Sequence, residues 1–104
     1  MSCATGSGPV NSLNLSAVLM QVYPLRYTPA GIPALDMVLL HQSQVVQMGQ
    51  PRQVRLELRA TAFGTQAETL AKQPMGVGFE FQGFLAQSRN GKGVVFQIQD
   101  FTQV

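Results

Sequence analysis

Five of the seven basic residues of this 104-residue chain fall in two short segments. Arg52, Arg55 and Arg59 follow one another in the middle of the chain, and Arg89 and Lys92 flank an Asn-Gly pair near its end. Such cations can track a phosphate backbone, and each phosphate neutralised on a single strand adds roughly 0.7 to the salt dependence of binding. If the fold brings both segments to one groove, they predict a site for a flexible polyanion. Ordinary solubility arginines, interrupted by Glu57, are the alternative.

Aromatic side chains could add base stacking to such a site. Arg26 and Tyr27 lie side by side in a proline-containing segment, and both are predicted site residues. Tyr27 is the predicted stacking residue, because a base stacked on an aromatic ring contributes roughly 1–3 kcal/mol. The alternative for Tyr27 is a turn residue that covers the end of the fold. Five of the six phenylalanines divide by strand spacing: Phe79, Phe81 and Phe96 are predicted in the core, and Phe84 and Phe101 are predicted to face outward.

Catalytic and metal-binding arrangements are missing from the sequence. His41 stands alone on an apolar face and is expected to be a hydrogen-bonded structural residue, and Cys3 has no partner for a disulfide. The acidic residues are scattered through predicted strands without an evident pair, namely Asp36, Glu57, Glu80 and Asp100. We therefore expect a protein that is not an enzyme and that has no catalytic residue, no metal site and no cofactor.

Composition limits the organisation of the chain. Hydrophobic residues make up 45% and charged residues 12%, with a net charge of +2, so the chain should fold with a polar but weakly charged surface. No apolar run approaches the roughly 18 residues of a membrane span, and no secretory signal is evident, so we expect a cytoplasmic protein with no membrane partner. Residues 1–12 are predicted to form a disordered tail, and residues 13–104 a single domain.

Alternating apolar and polar residues predict five strands, over residues 13–20, 35–44, 54–63, 77–86 and 94–99. A short helix is predicted over residues 65–72, where Thr65 can cap the first turn and Glu68 completes a capping box. Asn90-Gly91 provides the last hairpin turn. An all-β chain of five strands, with a helix between the third and fourth, fits the Greek-key barrel called the OB-fold. A five-stranded SH3-like barrel is the main rival.

Two segments carry a resemblance to a known family. The stretch from Pro24 through Pro33 (PLRYTPAGIP), followed by VLLHQS over residues 38–43, resembles primosomal replication protein N, a bacterial relative of the single-stranded DNA-binding proteins. The resemblance extends to FQGFL over residues 81–85 and covers roughly residues 13–101. It implies a homodimer of OB-folds that binds single-stranded DNA. It further implies contacts with primosome proteins, namely the restart helicase and helicase-loading factors, during reloading of the replicative helicase.

Several positions depart from the family pattern. Arg52 matches a basic position, but Arg55 falls near a position that carries a tryptophan in relatives, and this chain has no Trp. Gln42 falls where relatives carry an arginine, and the lysine-rich final hairpin of some relatives retains only Arg89 and Lys92. We therefore expect weaker stacking and weaker binding than in relatives with the full set.

Alternatives from other functional classes remain open. The missing tryptophan and few lysines favour a protein-interaction adaptor whose OB-fold has largely lost DNA binding, and the fold also permits binding of RNA or oligosaccharides. The first strand is apolar on both faces, with Val18 and Met20 opposite Leu15, Ala17 and Leu19. This predicts burial beyond the barrel, either in a dimer interface or under a loop of the same chain.

Overall fold

The computed structural model describes residues 9–88 and 91–103. Six strands and one helix follow the chain in the order β1 Leu13–Val22, β2 Arg26–Tyr27, β3 Pro33–Gln47, β4 Gln50–Phe63, α1 Thr65–Ala71, β5 Gly78–Gln87 and β6 Val94–Gln103. The five long strands are those predicted from alternation. The two-residue strand β2, which pairs Arg26 with Ala34 and Tyr27 with Pro33, was not predicted.

The five long strands close into a barrel. The sheet runs in the order β1-β5-β6-β4-β3, and β1 pairs again with β3 to complete the circle. All these pairings are antiparallel except the one between β4 and β6, which is parallel. The helix α1 lies between the third and fourth long strands. The predicted OB-fold is therefore confirmed, and the SH3-like alternative is wrong.

The barrel interior is filled by the inward set of each strand. Phe79, Phe81 and Phe96 are almost fully buried, as their spacing predicts, and they are joined by Leu19, Leu35, Met37 and Leu39. Ala60 and Ala62 fill the β4 side, where small residues leave room for the phenylalanine rings. Because these side chains point into the barrel, the outer face of β3, β4 and β6 remains available for a binding site.

Two β-bulges change which residues face the core. The pairing of β5 with β6 steps from Gln82↔Asp100 to Gly83↔Ile98, so that Gln99 is the extra residue. An extra residue reverses the alternation beyond it. Phe101 consequently turns inward, with its ring centroid 5.6 Å from that of Phe79. The prediction that Phe101 faces outward is wrong for this reason, and Phe84 is half-buried.

In β1 the bulge lies at Met20, because the pairing with β3 steps from Leu19↔Leu39 to Gln21↔Val38. Met20 remains 41% exposed, whereas Val22 beyond it packs against the core. Val18 is half-buried. The outer apolar surface of β1 is therefore smaller than the alternation predicts.

Strands β3 and β4 continue beyond the barrel as a hairpin arm, which we define as residues 42–56. The two strands remain paired to Gln47↔Gln50, and Met48 and Gly49 form the turn, with φ of 51° and 74°. The apolar residues Val54 and Leu56 lie on this arm and are only half-buried and 37% exposed, respectively. The core face of β4 begins further along the strand, where the barrel begins.

The helix covers one end of the barrel. Ala67 and Leu70, on the inner face of the helix, are fully buried. Its N-cap is Gly64, with φ of 69° and no side-chain capping bond, so the prediction that Thr65 and Glu68 form a capping box is wrong. The backbone amide of Gly64 donates to the carbonyl of Pro33 at 2.8 Å, and this bond, rather than a side-chain cap, sets the direction in which the chain enters the helix.

Before β1, the side chain of Asn11 extends the sheet. Its Nδ2 donates to the carbonyl of Leu85 at 2.6 Å, and its Oδ1 accepts from the amide of Leu85 at 3.0 Å. The amide group thus takes the place that a peptide unit would take beside β5. The first eight residues of the predicted tail lie outside the described residues.

Candidate nucleic-acid interface

A groove crosses the outer face of the barrel over β2, β3, β4 and β6. Its volume is about 890 Å³, and it is bounded at one end by the segment from Tyr23 to Pro29 and at the other by Gln87 and Ser88. Its floor is a row of cross-strand neighbours, because Asp36 pairs with Thr61 and Thr61 pairs with Gln97. Side chains of directly paired residues lie on the same face of a sheet, so the register alone places these three together.

An ion pair stands at the β2 side of the groove. Arg26 Nε donates to Asp36 Oδ2 at 2.8 Å, and Arg26 Nη2 donates to Asp36 Oδ1 at 3.2 Å, which is a two-point contact. Thr61 Oγ1 donates to Asp36 Oδ1 at 3.0 Å and so anchors the carboxylate from the neighbouring strand. The hydrogen bond with Asp36 raises the pKa of Arg26, which stays charged but paired.

Aromatic rings form the walls of the groove. Tyr27 is 64% exposed, and Phe63 is 43% exposed at the end of β4. Tyr23 contributes a third partly exposed ring from the loop after β1. Exposed rings of this kind offer flat apolar surfaces on which unstacked bases can stack.

Phe63 and Tyr23 were not predicted as site residues. A signal for Phe63 was present in the sequence, because it shares the odd-numbered, outward face of β4 with Arg59 and Thr61. Tyr23 gave no comparable signal, since its position depends on the bulge at Met20 and on the loop beyond. The amide of Tyr23 donates to the backbone carbonyl of Asp36 at 2.9 Å, which holds the loop against the groove.

The predicted cations divide between the groove and the arm. Arg59 lines the groove together with Arg26 and Tyr27. Arg55 points to the same face of β4 but pairs with Gln42 on the arm, and its Nη1 lies 3.9 Å from Glu57 Oε2 with both side chains exposed. Arg52 points to the opposite face and donates to Gln47 at 3.3 Å. The structure therefore brings together three of the predicted site residues and places these two outside the groove.

The final hairpin borders the far end of the groove. Ser88 lines the groove, and its hydroxyl donates to the backbone carbonyl of Lys92 at 2.6 Å. Lys92 is therefore close to the rim, on the turn that joins β5 to β6. Arg89 lies outside the described residues.

Across residues 9–88 and 91–103, no three His, Cys, Asp or Glu side chains cluster as metal ligands would. No helix in the same ranges is long and apolar enough to span a bilayer. His41 is hydrogen bonded at both ring nitrogens, to the carbonyl of Ser16 at 2.6 Å and to Ser43 Oγ at 2.8 Å, and so has a structural role.

Comparison with known proteins identifies the family. A model described as "Another single-strand binding protein family" matches residues 11–100. The chain is 46% identical over 80 residues to the replication restart protein PriB of Bordetella pertussis, covering 77% of this chain and 75% of that protein. The chain belongs to the PriB family of single-strand binding proteins.

Solved structures agree with this assignment. A PriB from Ralstonia solanacearum superposes with a TM-score of 0.83 at 33% identity, covering 91% of this chain and 98% of the other. The single-stranded DNA binding protein from Thermus aquaticus superposes with a TM-score of 0.73 at 25% identity, and the match covers 91% of this chain but 50% of that protein. The resemblance inferred from the sequence is therefore confirmed for family and fold.

Proposed function

We propose that this chain binds single-stranded DNA without sequence specificity, using the groove for bases and the arm for part of the backbone. The groove carries this proposal, because it combines three exposed aromatic rings with Arg59 on the outer face of an OB barrel. The concave outer face of this barrel is where OB-folds bind oligonucleotides. Membership in a family of single-strand binding proteins supports the same function.

The charges available limit the affinity. Arg59 in the groove and Arg52 and Arg55 on the arm are the cations best placed for phosphates, and Lys92 lies near the rim. Removing the three arginines should lower the salt slope by about 2, since each phosphate contact on a single strand contributes roughly 0.7. We therefore expect binding that weakens noticeably with salt but is not abolished by it.

Fluorescence anisotropy with labelled oligo-dT at several salt concentrations tests this function. Binding should be measurable at low salt, and the triple variant Arg52→Ala, Arg55→Ala, Arg59→Ala should show the reduced slope. Lys72→Ala is the matched control, because Lys72 follows α1 and does not line the groove. Absence of binding by the unmodified protein at low salt would refute the proposal, and an unchanged slope in the triple variant would refute the assignment of these arginines.

The protein is further proposed to act as a homodimer. On its β3-facing side, β1 begins to pair only at Val18, so residues 13–17, within the part of the chain that is described, present an edge to which a second strand could be added. One group on this edge, the carbonyl of Ser16, is already hydrogen bonded to His41. Met20 and Val18 lie beside this edge. Analytical ultracentrifugation should give a species of twice 11.3 kDa, and a monomer at micromolar concentration would contradict the proposal.

Its proposed role is that of a non-enzymatic cytoplasmic accessory in replication restart, which links single-stranded DNA to the restart helicase and helicase-loading factors. The name of the relatives supports restart, and the partner contacts are the expectation from the family resemblance. Pull-down of a purified restart helicase in the presence and absence of oligo-dT would test the bridging step. The bridging step would be contradicted if the helicase were captured equally with and without oligo-dT and equally by unfolded protein.

A protein-interaction adaptor with little DNA binding is the second candidate. The tip of the arm favours it, because Val46 is 75% exposed and Met48 is 95% exposed, an unusual display of apolar side chains on a strand end. The anisotropy experiment separates the two functions. An adaptor would capture partners with the arm intact yet show no binding of oligo-dT at low salt.

A further inference from the structure

The charge balance of the groove is unexpected for a surface that binds a polyanion. Of the basic residues that line it, Arg26 is already paired with Asp36, and only Arg59 has no ion pair among the described residues. A guanidinium bonded at two points to a carboxylate forms a nearly neutral unit, so a phosphate gains little by approaching it. The pair must also be separated before Arg26 can bind a phosphate through the same fork.

We propose that Asp36 holds Arg26 as a fixed, neutral platform for a nucleobase, so that the groove around Arg26 binds a strand through its bases rather than through its phosphates. The proposal rests on the function proposed above and assigns Arg26 and Asp36 different tasks within it. Arg26 contacts the base, and Asp36 is a positioning residue that acts through Arg26.

The geometry fixes the plane of the guanidinium. Bonds from Nε and Nη2 to the two carboxylate oxygens leave it one orientation relative to Asp36, and Thr61 fixes the carboxylate from β4. Thr61 is only 7% exposed, so the anchor is rigid and dry. The side chains of Arg26 and Asp36 are 31% and 40% exposed, which leaves part of the pair facing the groove.

The surroundings of Arg26 suit a flat, uncharged ligand. Arg26 pairs with Ala34 and Ala34 pairs with Phe63, so Arg26 and Phe63 flank the same position on the outer face of the sheet. Neighbouring strands are about 4.8 Å apart, which puts the two backbones roughly 10 Å from each other. Ala34 between them is fully buried although it faces outward, so the surrounding side chains converge over it. Guanidinium planes and aromatic rings are the two surfaces on which proteins stack unpaired bases.

This arrangement predicts that loss of Arg26 and loss of Arg59 change the salt dependence of binding differently. Loss of a stacked base should weaken binding by about the same factor at every salt concentration, because no counterion release is involved. Loss of a phosphate contact should instead reduce the salt slope by roughly 0.7. Arg26 belongs to the first class and Arg59 to the second.

The experiment compares oligo-dT with an abasic strand of the same length and charge, by fluorescence anisotropy at low and moderate salt. The unmodified protein should prefer oligo-dT. Arg26→Lys keeps the charge but removes the flat fork, and it should weaken oligo-dT binding about tenfold, with little effect on the abasic strand and no change of salt slope. Arg59→Ala should lower the slope by about 0.7 and keep the preference for oligo-dT.

Asp36→Asn provides the second variant. It releases the charge of Arg26 while nearly preserving the size of its partner, so it should steepen the salt slope by about 0.7 and reduce the preference for bases. Replacing a residue with a merely structural role would not steepen the salt slope and at the same time reduce the preference for oligo-dT over the abasic strand. Urea unfolding of both variants checks that the barrel is intact. If Asp36→Asn does not fold, the test rests on Arg26→Lys, in which the new side chain can still pair with Asp36.

The possible failures are distinguishable. If the unmodified protein binds neither strand at low salt, both the proposed function and this inference fall. If it binds both strands equally, or if Arg26→Lys leaves oligo-dT binding unchanged, the inference falls while the proposed function stands. If Arg26→Lys lowers the salt slope, Arg26 contacts a phosphate and the platform is refuted.

Discussion

Gly83 is expected to be the position in the barrel least tolerant of a side chain. It lies in β5 opposite Ile98, at the bulge that turns Phe101 into the core. A Cβ atom added there would overlap the carbonyl oxygen of Gln97, and it would lie 2.9 Å from the carbonyl carbon of Gln97 and 3.0 Å from Phe96 Cε1. Two of these three atoms are backbone of the neighbouring strand, so no change of side-chain rotamer can relieve the overlap.

The magnitude follows from what must move. Overpacking in a core costs about 1–3 kcal/mol when side chains can adjust, and here β6 itself has to shift away from β5. We therefore expect Gly83→Ala to lower the free energy of unfolding by about 3 kcal/mol or more, out of the roughly 5–15 kcal/mol that a small domain has in total. For a domain of this size, that corresponds to a fall in Tm of about 12 °C or more.

Urea unfolding followed by circular dichroism measures this effect. Gly78→Ala is the matched control, because Gly78 lies in the same strand with no atom within 4 Å of an added Cβ. The control should change stability by less than about 1 kcal/mol, and its sign should favour alanine, which is less costly than glycine to order in a strand. Equal unfolding midpoints for the two variants would show that the bulge geometry inferred for β5 and β6 is incorrect.

Three further substitutions test the arm, the helix and the N-terminal segment. Met48→Asn should raise the free energy of unfolding by about 0.5–1 kcal/mol in urea titrations, because Met48 has φ of 51° and asparagine tolerates that conformation better; a loss of stability would argue against the turn described. Leu70→Ala should lower it by about 2–5 kcal/mol, since Leu70 belongs to α1 and is fully buried, and a cost below 1 kcal/mol would mean that the helix is not packed on the barrel. Asn11→Ala should cost about 1–2 kcal/mol and accelerate hydrogen exchange at the amide of Leu85, and unchanged exchange there would contradict the backbone-like pairing of the Asn11 side chain.

The groove and the arm offer two different chemistries to a single strand. The groove presents rings and a paired guanidinium, whereas the arm presents Arg52 and Arg55 on opposite faces of β4. A strand that lies in the groove and passes along the arm would therefore exchange base contacts for phosphate contacts along its path. In the proposed mode of binding, the aromatic surface of this chain, which has no tryptophan, comes from Tyr27 and Phe63.

The local pattern of residues determined the strands, the helix and part of the core of this protein. Alternation along the chain located the five long strands, and the apolar set of each strand correctly placed Phe79, Phe81 and Phe96 in the core. The helix between the third and fourth long strands was predicted in the right place, although the capping box that suggested it is not formed. These features depend on neighbours within a few residues, which a sequence displays directly.

Tertiary structure alone decided the rest, because register is a relation between strands far apart in sequence. The bulge opposite Gln82 and Gly83 turned Phe101 inward, against its predicted side. The pairing of Asp36 with Thr61, together with the turn that brings Arg26 back to β3, placed the predicted site residue Arg26 in an ion pair with Asp36. Extension of β4 beyond the barrel separated Arg52 from Arg59, although the two stand close together in the sequence. For Phe101 and Asp36, a shift of one residue in pairing would put the side chain on the other face of the sheet, and only the closed barrel fixes that choice.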